Sequence, residues 1–161
     1  MTFMPVPAGG DDDVLLEQQL VLALSTASRA VESACTPVLQ ELNLTHPQYL
    51  VMLALWEKSP RPGREIGELL PEPEVLSPVL LQLEEAGYIE SVRVQDHKDP
   101  SAVRLTAKGA TLYRRTLSIS GTILGRLGLS PEDAEGLYNT MPRLLKTRRA
   151  RSAGPGSPTN A

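Results

Sequence analysis

The chain has 161 residues and a mass of 17.5 kDa, and its 41% hydrophobic and 22% charged residues are typical of a packed globular protein of about one domain. Sixteen Lys and Arg against nineteen Asp and Glu give a formal net charge of −3, which excludes a surface that is cationic throughout but not a local basic patch. No apolar run is long enough to span a membrane, and residues 1–13 lack a secretory pattern. With one cysteine and two histidines, we expect a cytoplasmic protein without an internal disulfide, a structural metal or another cofactor.

The N-terminal part of the chain is predicted to be helical. Apolar residues recur every three or four positions over 14–42, which predicts a long amphipathic helix with a kink or restart at Pro37. Residues 45–48 have the pattern of a capping box, and the apolar run 49–56 behind them is expected to form a core helix. The Pro-rich segment 59–63 has the composition of a loop.

Two short helical patterns and two strand patterns follow. The first helix is predicted over 64–70, and the second begins between residues 73 and 78 and ends at Ala86, before a capping Gly87. Strand composition at 88–94 and 102–105, on either side of a polar segment, predicts a β-hairpin.

The last part of the chain returns to helical patterns. Helices are predicted over 107–119 and from 131 to about 146, and residues 1–12 and 147–161 are expected to be a flexible N-terminal segment and a basic, disordered tail. The fold class is therefore mainly α with a β-hairpin.

Two short helices followed directly by a hairpin are typical of a winged helix-turn-helix. In that fold the second helix enters the major groove of DNA and the hairpin lies along the backbone or the minor groove. A helical domain with an incidental hairpin is the alternative. No nucleophile–base set, phosphate loop or metal-ligand spacing is visible, so we do not expect an enzyme.

The core helix also carries a family resemblance. Residues 44–57, with the sequence LTHPQYLVMLALWE, resemble the second-helix signature of the MarR family of bacterial transcriptional regulators, and in particular its organic-hydroperoxide-sensing branch. The resemblance continues at 83–89, 105–109 and 121–125 and covers residues 15 to about 146. It implies a homodimer that acts on a palindromic DNA operator, as a repressor. In this arrangement residues 13–43 and 107–146 form the dimerisation helices, and residues 44–106 form the DNA-binding lobe.

The resemblance also locates a sensor pocket that this chain has altered. The position of the sensing cysteine is Val21, which cannot form a thiolate or a sulfenic acid. The two tyrosines that bond to that cysteine fall at Cys35 and His46. With Tyr49, these residues form a candidate effector or redox pocket, which could admit a small apolar effector. Cys35 is either a packing residue of the dimer interface or a relocated redox sensor.

The predicted DNA-reading surface is unusually acidic. Residues 65–90 contain seven Glu and no Lys or Arg, although cations make the phosphate contacts on which DNA affinity depends. The candidate DNA contacts are Ser77, Gln82, Arg93, Lys98 and Arg104. Two functions stay open: a DNA-binding regulator, or a dimer of the same fold that has lost standard DNA binding and acts through a protein partner or a small ligand.

A second basic cluster lies near the C-terminus. Its members are Arg143, Lys146, Arg148, Arg149 and Arg151. They form either an arm that follows DNA or a solvated tail whose charges complement the end of a helix.

Overall fold

A computed structural model describes residues 12–93, 101–117 and 121–152, with side chains over 15–93, 101–117 and 121–144. The elements are α1 (Asp12–Leu42), α2 (His46–Glu57), β1 (Arg61–Pro62), α3 (Gly63–Leu69), a 3₁₀ turn (Pro73–Val75), α4 (Leu76–Glu85), β2 (Ile89–Arg93), β3 (Ser101–Leu105), α5 (Ala107–Leu117), α6 (Thr122–Leu127) and α7 (Pro131–Ser152). The chain divides into two compact units, Met1–Ile123 and Leu124–Ala161.

Helix α2 begins at the predicted capping box. The backbone N–H of Gln48 donates to Thr45 Oγ1 at 3.4 Å, and the backbone N–H of Thr45 donates to Gln48 Oε1 at 2.9 Å. These bonds satisfy two backbone donors that the start of a helix leaves without partners. The apolar helix behind the box lies in the core, because Val51 and Met52 are completely buried.

The core of the first unit forms around α2. Helices α1, α3, α4 and α5 and the sheet each contribute buried apolar residues, among them Leu42, Ile66, Leu70, Leu83, Ile89 and Leu112. Most apolar side chains of α2 are buried in this core, whereas Leu53 is 41% exposed, so the apolar sequence of α2 extends beyond the face that packs inside the single chain.

The turn after α4 and the hairpin confirm the predicted wing. Gly87 adopts φ +83°, a left-handed conformation that glycine adopts without strain, and the chain then enters β2. Strands β2 and β3 pair antiparallel, with Glu90 opposite Arg104 and Ser91 opposite Val103. The sheet has the order β1-β3-β2.

The structure corrects four predictions. Segment 59–63 is not all loop, because Arg61 and Pro62 pair with β3 as an edge strand, where proline is tolerated. Helix α1 continues through Pro37, so of the predicted kink or restart the restart is wrong, and the kink stays a prediction. Helix α6 was not predicted, and α7 extends to Ser152, so the segment from 147 to 152 is helical rather than disordered. Residues 1–11 and 153–161 lie outside the described residues.

Candidate DNA-reading site and effector pocket

Helix α4 has an outer face of the kind that a recognition helix presents. Val79 and Leu83 are buried in the core, whereas Ser77, Leu81 and Gln82 are exposed. The two predicted contacts on this helix, Ser77 and Gln82, therefore both lie at the surface.

The side chain of Gln82 is already held by another element. Its Oε1 accepts a hydrogen bond from Nε2 of Gln48 at 3.0 Å. Because Gln48 also closes the capping box of α2, the recognition helix is connected to the first turn of α2. The sequence identifies Gln48 as a capping residue. Its contact with Gln82 could not be predicted from local sequence, because the two residues are 34 positions apart.

The surface around the recognition helix carries mostly negative charge. Arg64, at the start of α3, lies 3.8 Å from the carboxylate of Glu68. The exposed residues beyond it on the 3₁₀ turn and α4 include Glu74, Glu84 and Glu85. Helix α4 thus exposes polar side chains but carries no cation that could contact phosphate.

The wing contains the predicted cations in different situations. The guanidinium of Arg104 forms an ion pair with Glu90 on the neighbouring strand, with a hydrogen bond from Nε to Oε1 of 2.9 Å. Arg93 is exposed at the end of β2, and Lys98 lies outside the described residues. Lys108 donates to the carbonyl oxygen of Ala86 at 2.7 Å, and so binds the C-terminal end of α4.

The four residues of the predicted sensor pocket separate into two groups. Cys35 and Tyr49 are both buried in the core, at 5% and 8% exposure, and His46 is half-buried at the start of α2. Val21 is 61% exposed on α1, and the 14 residues to Cys35 correspond to about 21 Å of helix. In a single chain, Val21 is therefore not part of the same pocket as Cys35.

The environment of Cys35 favours the protonated thiol. Burial, followed by the negative charge of Glu32, raises the pKa of Cys35. Burial, followed by the charge of Cys35, raises the pKa of Tyr49. A thiol must ionise to act as a nucleophile, so this environment suppresses its reactivity.

A groove of about 470 Å³ lies instead at the corner between α1 and α2. Its lining residues are Thr36, Leu39, Gln40, Asn43, Leu44, Thr45 and Gln48. They combine leucines with uncharged polar side chains, and none of the four predicted pocket residues is among them. No sequence motif predicts this groove, because it is formed only where α1 and α2 pack at the turn between them.

The described residues contain neither a cluster of metal ligands nor a membrane-spanning helix. Among the described residues, no three His, Cys, Asp or Glu side chains come together as a metal site would require. Over the same part of the chain, no helix combines the length and the apolar character needed to cross a membrane.

Helices α3 and α4 followed by the β2–β3 hairpin define a winged helix-turn-helix protein. No protein-family model matches the chain. The chain is 36% identical over 137 residues to the organic hydroperoxide resistance transcriptional regulator of Bacillus subtilis, covering 84% of this chain and 93% of the relative. It is 30% identical over 145 residues to the HTH-type transcriptional regulator TtmR of Methylorubrum extorquens, covering 89% of this chain and 74% of TtmR.

Solved structures agree with these relatives. AbfR of Staphylococcus epidermidis superposes with a TM-score of 0.71 and 26% identity, over 85% of this chain and 95% of AbfR. The structure of reduced AbfR bound to DNA gives a TM-score of 0.61 and 25% identity, over 87% of this chain and 99% of AbfR. The chain belongs to the MarR family of transcriptional regulators, as the resemblance of its second helix implied.

Proposed function

We propose that the protein is a homodimeric repressor that binds a palindromic operator, with α4 in the major groove and the β2–β3 wing against the flanking backbone. The observation that carries the proposal is the exposed outer face of α4 next to a wing that bears Arg93 and Arg104. The DNA complex of AbfR, a protein of the same fold, supports it. Like the relatives above, which are named as regulators rather than enzymes, the protein would act on DNA in the cytoplasm.

The N-terminal half of α1 supports dimerisation. Its large apolar side chains are exposed in the single chain, at 48% for Leu16, 54% for Leu20 and 37% for Leu24. Residues 16, 20 and 24 lie on one face of the helix, because successive positions four apart differ by only about 40°. An exposed leucine stripe of this kind on a soluble regulator is expected to be buried against a second copy.

The effector would be a small molecule rather than a peroxide acting through the family cysteine position. Val21 cannot be oxidised as a cysteine can, and Cys35 is buried with a raised pKa. The groove between α1 and α2 has the size of a small-molecule site and both apolar and hydrogen-bonding side chains.

A second function is favoured by the acidic surface. The seven glutamates of residues 65–90 and the ion pair of Arg104 with Glu90 weaken the expected attraction to phosphate. On this alternative, the protein keeps the dimeric fold, has lost standard DNA binding and acts through a protein partner or a small ligand.

A titration of labelled duplex DNA separates the two functions. Fluorescence anisotropy would follow binding to the DNA upstream of the protein's own gene, and to a scrambled duplex of equal length, at low and physiological salt. For a repressor we expect saturable binding that prefers the upstream duplex and weakens as salt rises. Equal, non-saturable signals on both duplexes at low salt would favour the alternative.

A further inference from the structure

A chain of hydrogen bonds fixes the orientation of two amide groups on the DNA-reading surface. It begins at the backbone N–H of Thr45, which can only donate, and which lies 2.9 Å from Oε1 of Gln48. The opposite end of that amide is therefore Nε2, which can only donate, and it lies 3.0 Å from Oε1 of Gln82. The orientation of Gln82 thus follows from a backbone group on another helix.

As a consequence, the amide of Gln82 has one fixed orientation, with its oxygen toward Gln48. Its oxygen accepts from Gln48, while its Nε2 carries two N–H donors, and no group of residues 15–93, 101–117 and 121–144 accepts from them. A free glutamine can offer both an oxygen and an N–H group, and it can bond adenine in a bidentate way. In Gln82 the oxygen is turned toward Gln48, so the groups left without a protein partner are the two N–H donors of Nε2.

We propose that Gln48 is a positioning residue that determines the base specificity of Gln82, by orienting its amide so that it presents N–H donors to the major groove. This inference rests on the proposed binding of DNA through α4. An amide that presents its N–H donors matches guanine best, because N7 and O6 are neighbouring acceptors, and it also matches O4 of thymine. It mismatches cytosine, whose major-groove edge presents the N4 donor.

The orientation of Gln82 depends on whether residue 48 has an amide nitrogen or a second carboxylate oxygen at the end of its side chain. Glutamate and glutamine close a capping box equally well, since only the carbonyl or carboxylate oxygen is used. Of the two, only glutamine has a donor left for Gln82. Gln48→Glu therefore keeps the cap of α2, but its second oxygen now accepts from Nε2 of Gln82. The amide of Gln82 turns over and presents its oxygen outward.

The experiment measures base preference rather than affinity. Wild-type protein and each variant are used to select duplexes from a library randomised over the operator, and the ratios among the four bases are compared at each position. A uniform loss of affinity from an added negative charge cancels in these ratios. Gln82→Ala first identifies the base pair that Gln82 reads, as the position where the preference disappears.

At that base pair we expect wild-type protein to favour guanine or thymine. Gln48→Glu should shift the preference toward cytosine or adenine by about fivefold, the effect of exchanging one hydrogen bond for another. Gln48→Met, which has a similar length and no hydrogen-bonding amide, should broaden the preference without reversing it. Gln48→Glu combined with Gln82→Ala should behave as Gln82→Ala alone, since Gln48 acts through Gln82.

The outcomes separate the inference from the proposed function. If wild-type protein selects no sequence, the binding of DNA through α4 is wrong. If it selects an operator and Gln48→Glu leaves every base ratio unchanged, the positioning by Gln48 is wrong. Thermal unfolding of each variant shows whether it is folded, and Gln48→Glu is expected to unfold within a few degrees of wild type because the capping box remains.

Discussion

The thiol of Cys35 illustrates how burial decides the chemistry of a residue. The side chain lies in the core with Tyr49, and its pKa is raised by burial and by Glu32. The folded state therefore binds the thiol proton more tightly than the unfolded chain does. The resulting stabilisation is present below the pKa of an unfolded cysteine and is lost as pH rises through the raised pKa.

We predict that Cys35 reacts slowly in the native protein. Alkylation by iodoacetamide at neutral pH should be several times slower than that of a free model thiol, and should accelerate only in the alkaline range. Protein unfolded in urea is the control, in which the same cysteine should react at the model rate. Native alkylation as fast as the model thiol, with protection by an organic hydroperoxide, would instead establish Cys35 as a relocated redox sensor.

The ion pair with Glu90 holds the guanidinium of Arg104, which is therefore less available to bind phosphate. Replacement of Glu90 by Gln removes the partner charge and leaves Arg104 to contact phosphate. We expect tighter binding to all duplexes alike and a steeper dependence on salt in anisotropy titrations. The effect on stability should be under about 1 kcal/mol, because the pair is half-exposed.

The double variant Arg93→Ala with Arg104→Ala is the matched comparison for the wing. It should weaken binding to every sequence and flatten the salt dependence. If both Glu90→Gln and the double variant bind as wild type does at two salt concentrations, the wing makes no phosphate contacts.

At the scale of the elements, local signals predicted most of the fold. The capping box at Thr45, the glycine after α4 and the strand composition on either side of the polar segment each depend on neighbouring residues, and the box, the left-handed glycine and the paired strands are present in the structure. Strand β1 was missed because it consists only of Arg61 and Pro62, in a Pro-rich segment, and is defined only by its pairing with β3. The interpretation of the site was less complete for the same reason. The bonds of Gln48 with Gln82 and of Glu90 with Arg104 join residues that only the fold brings together.

Helix α5 packs closely against the start of the wing at Gly109. A methyl group added at Gly109 would overlap the carbonyl oxygen of Tyr88, which also accepts a hydrogen bond from the backbone of Thr106. The carbonyl oxygen of Gly109 in turn accepts from the indole N–H of Trp56 at 3.0 Å. The backbone of α5 thus contacts both the wing and α2 at this residue.

We predict that Gly109→Ala lowers the free energy of unfolding by roughly 1–3 kcal/mol, since backbone must move to make room. Gly63→Ala at the start of α3 is the matched control within the same unit as Trp56, because no atom lies near its added methyl group. That variant should be unchanged or more stable, as alanine favours a helix by up to about 1 kcal/mol over glycine. Urea unfolding followed by the fluorescence of Trp56 measures both. Equal stability of the two variants would contradict the tight packing at Gly109.

At the scale of the whole molecule, the distribution of charge limits how DNA can be bound. The chain has a formal charge of −3, and its recognition helix bears glutamates but no cation. A single lobe would therefore bind duplex weakly, whereas two lobes on one palindrome add their binding free energies on a rigid scaffold. Dimerisation is thus expected to matter more to this protein than to a regulator with a basic recognition helix.

We predict that Leu20→Asp separates the dimer and abolishes operator binding. Leu20 is 54% exposed and lies at the centre of the apolar stripe of α1, so a carboxylate there would be buried without a partner in the dimer. Gln18→Asp is the matched control, as it adds the same charge about 200° away around the same helix. Light scattering at micromolar concentration should give twice the chain mass for wild type and for Gln18→Asp, and the chain mass for Leu20→Asp. The helical circular dichroism of the first unit should persist in each, because α2 and its core contacts are untouched. A monomeric wild type, or a dimeric Leu20→Asp, would show that this face of α1 is not the interface.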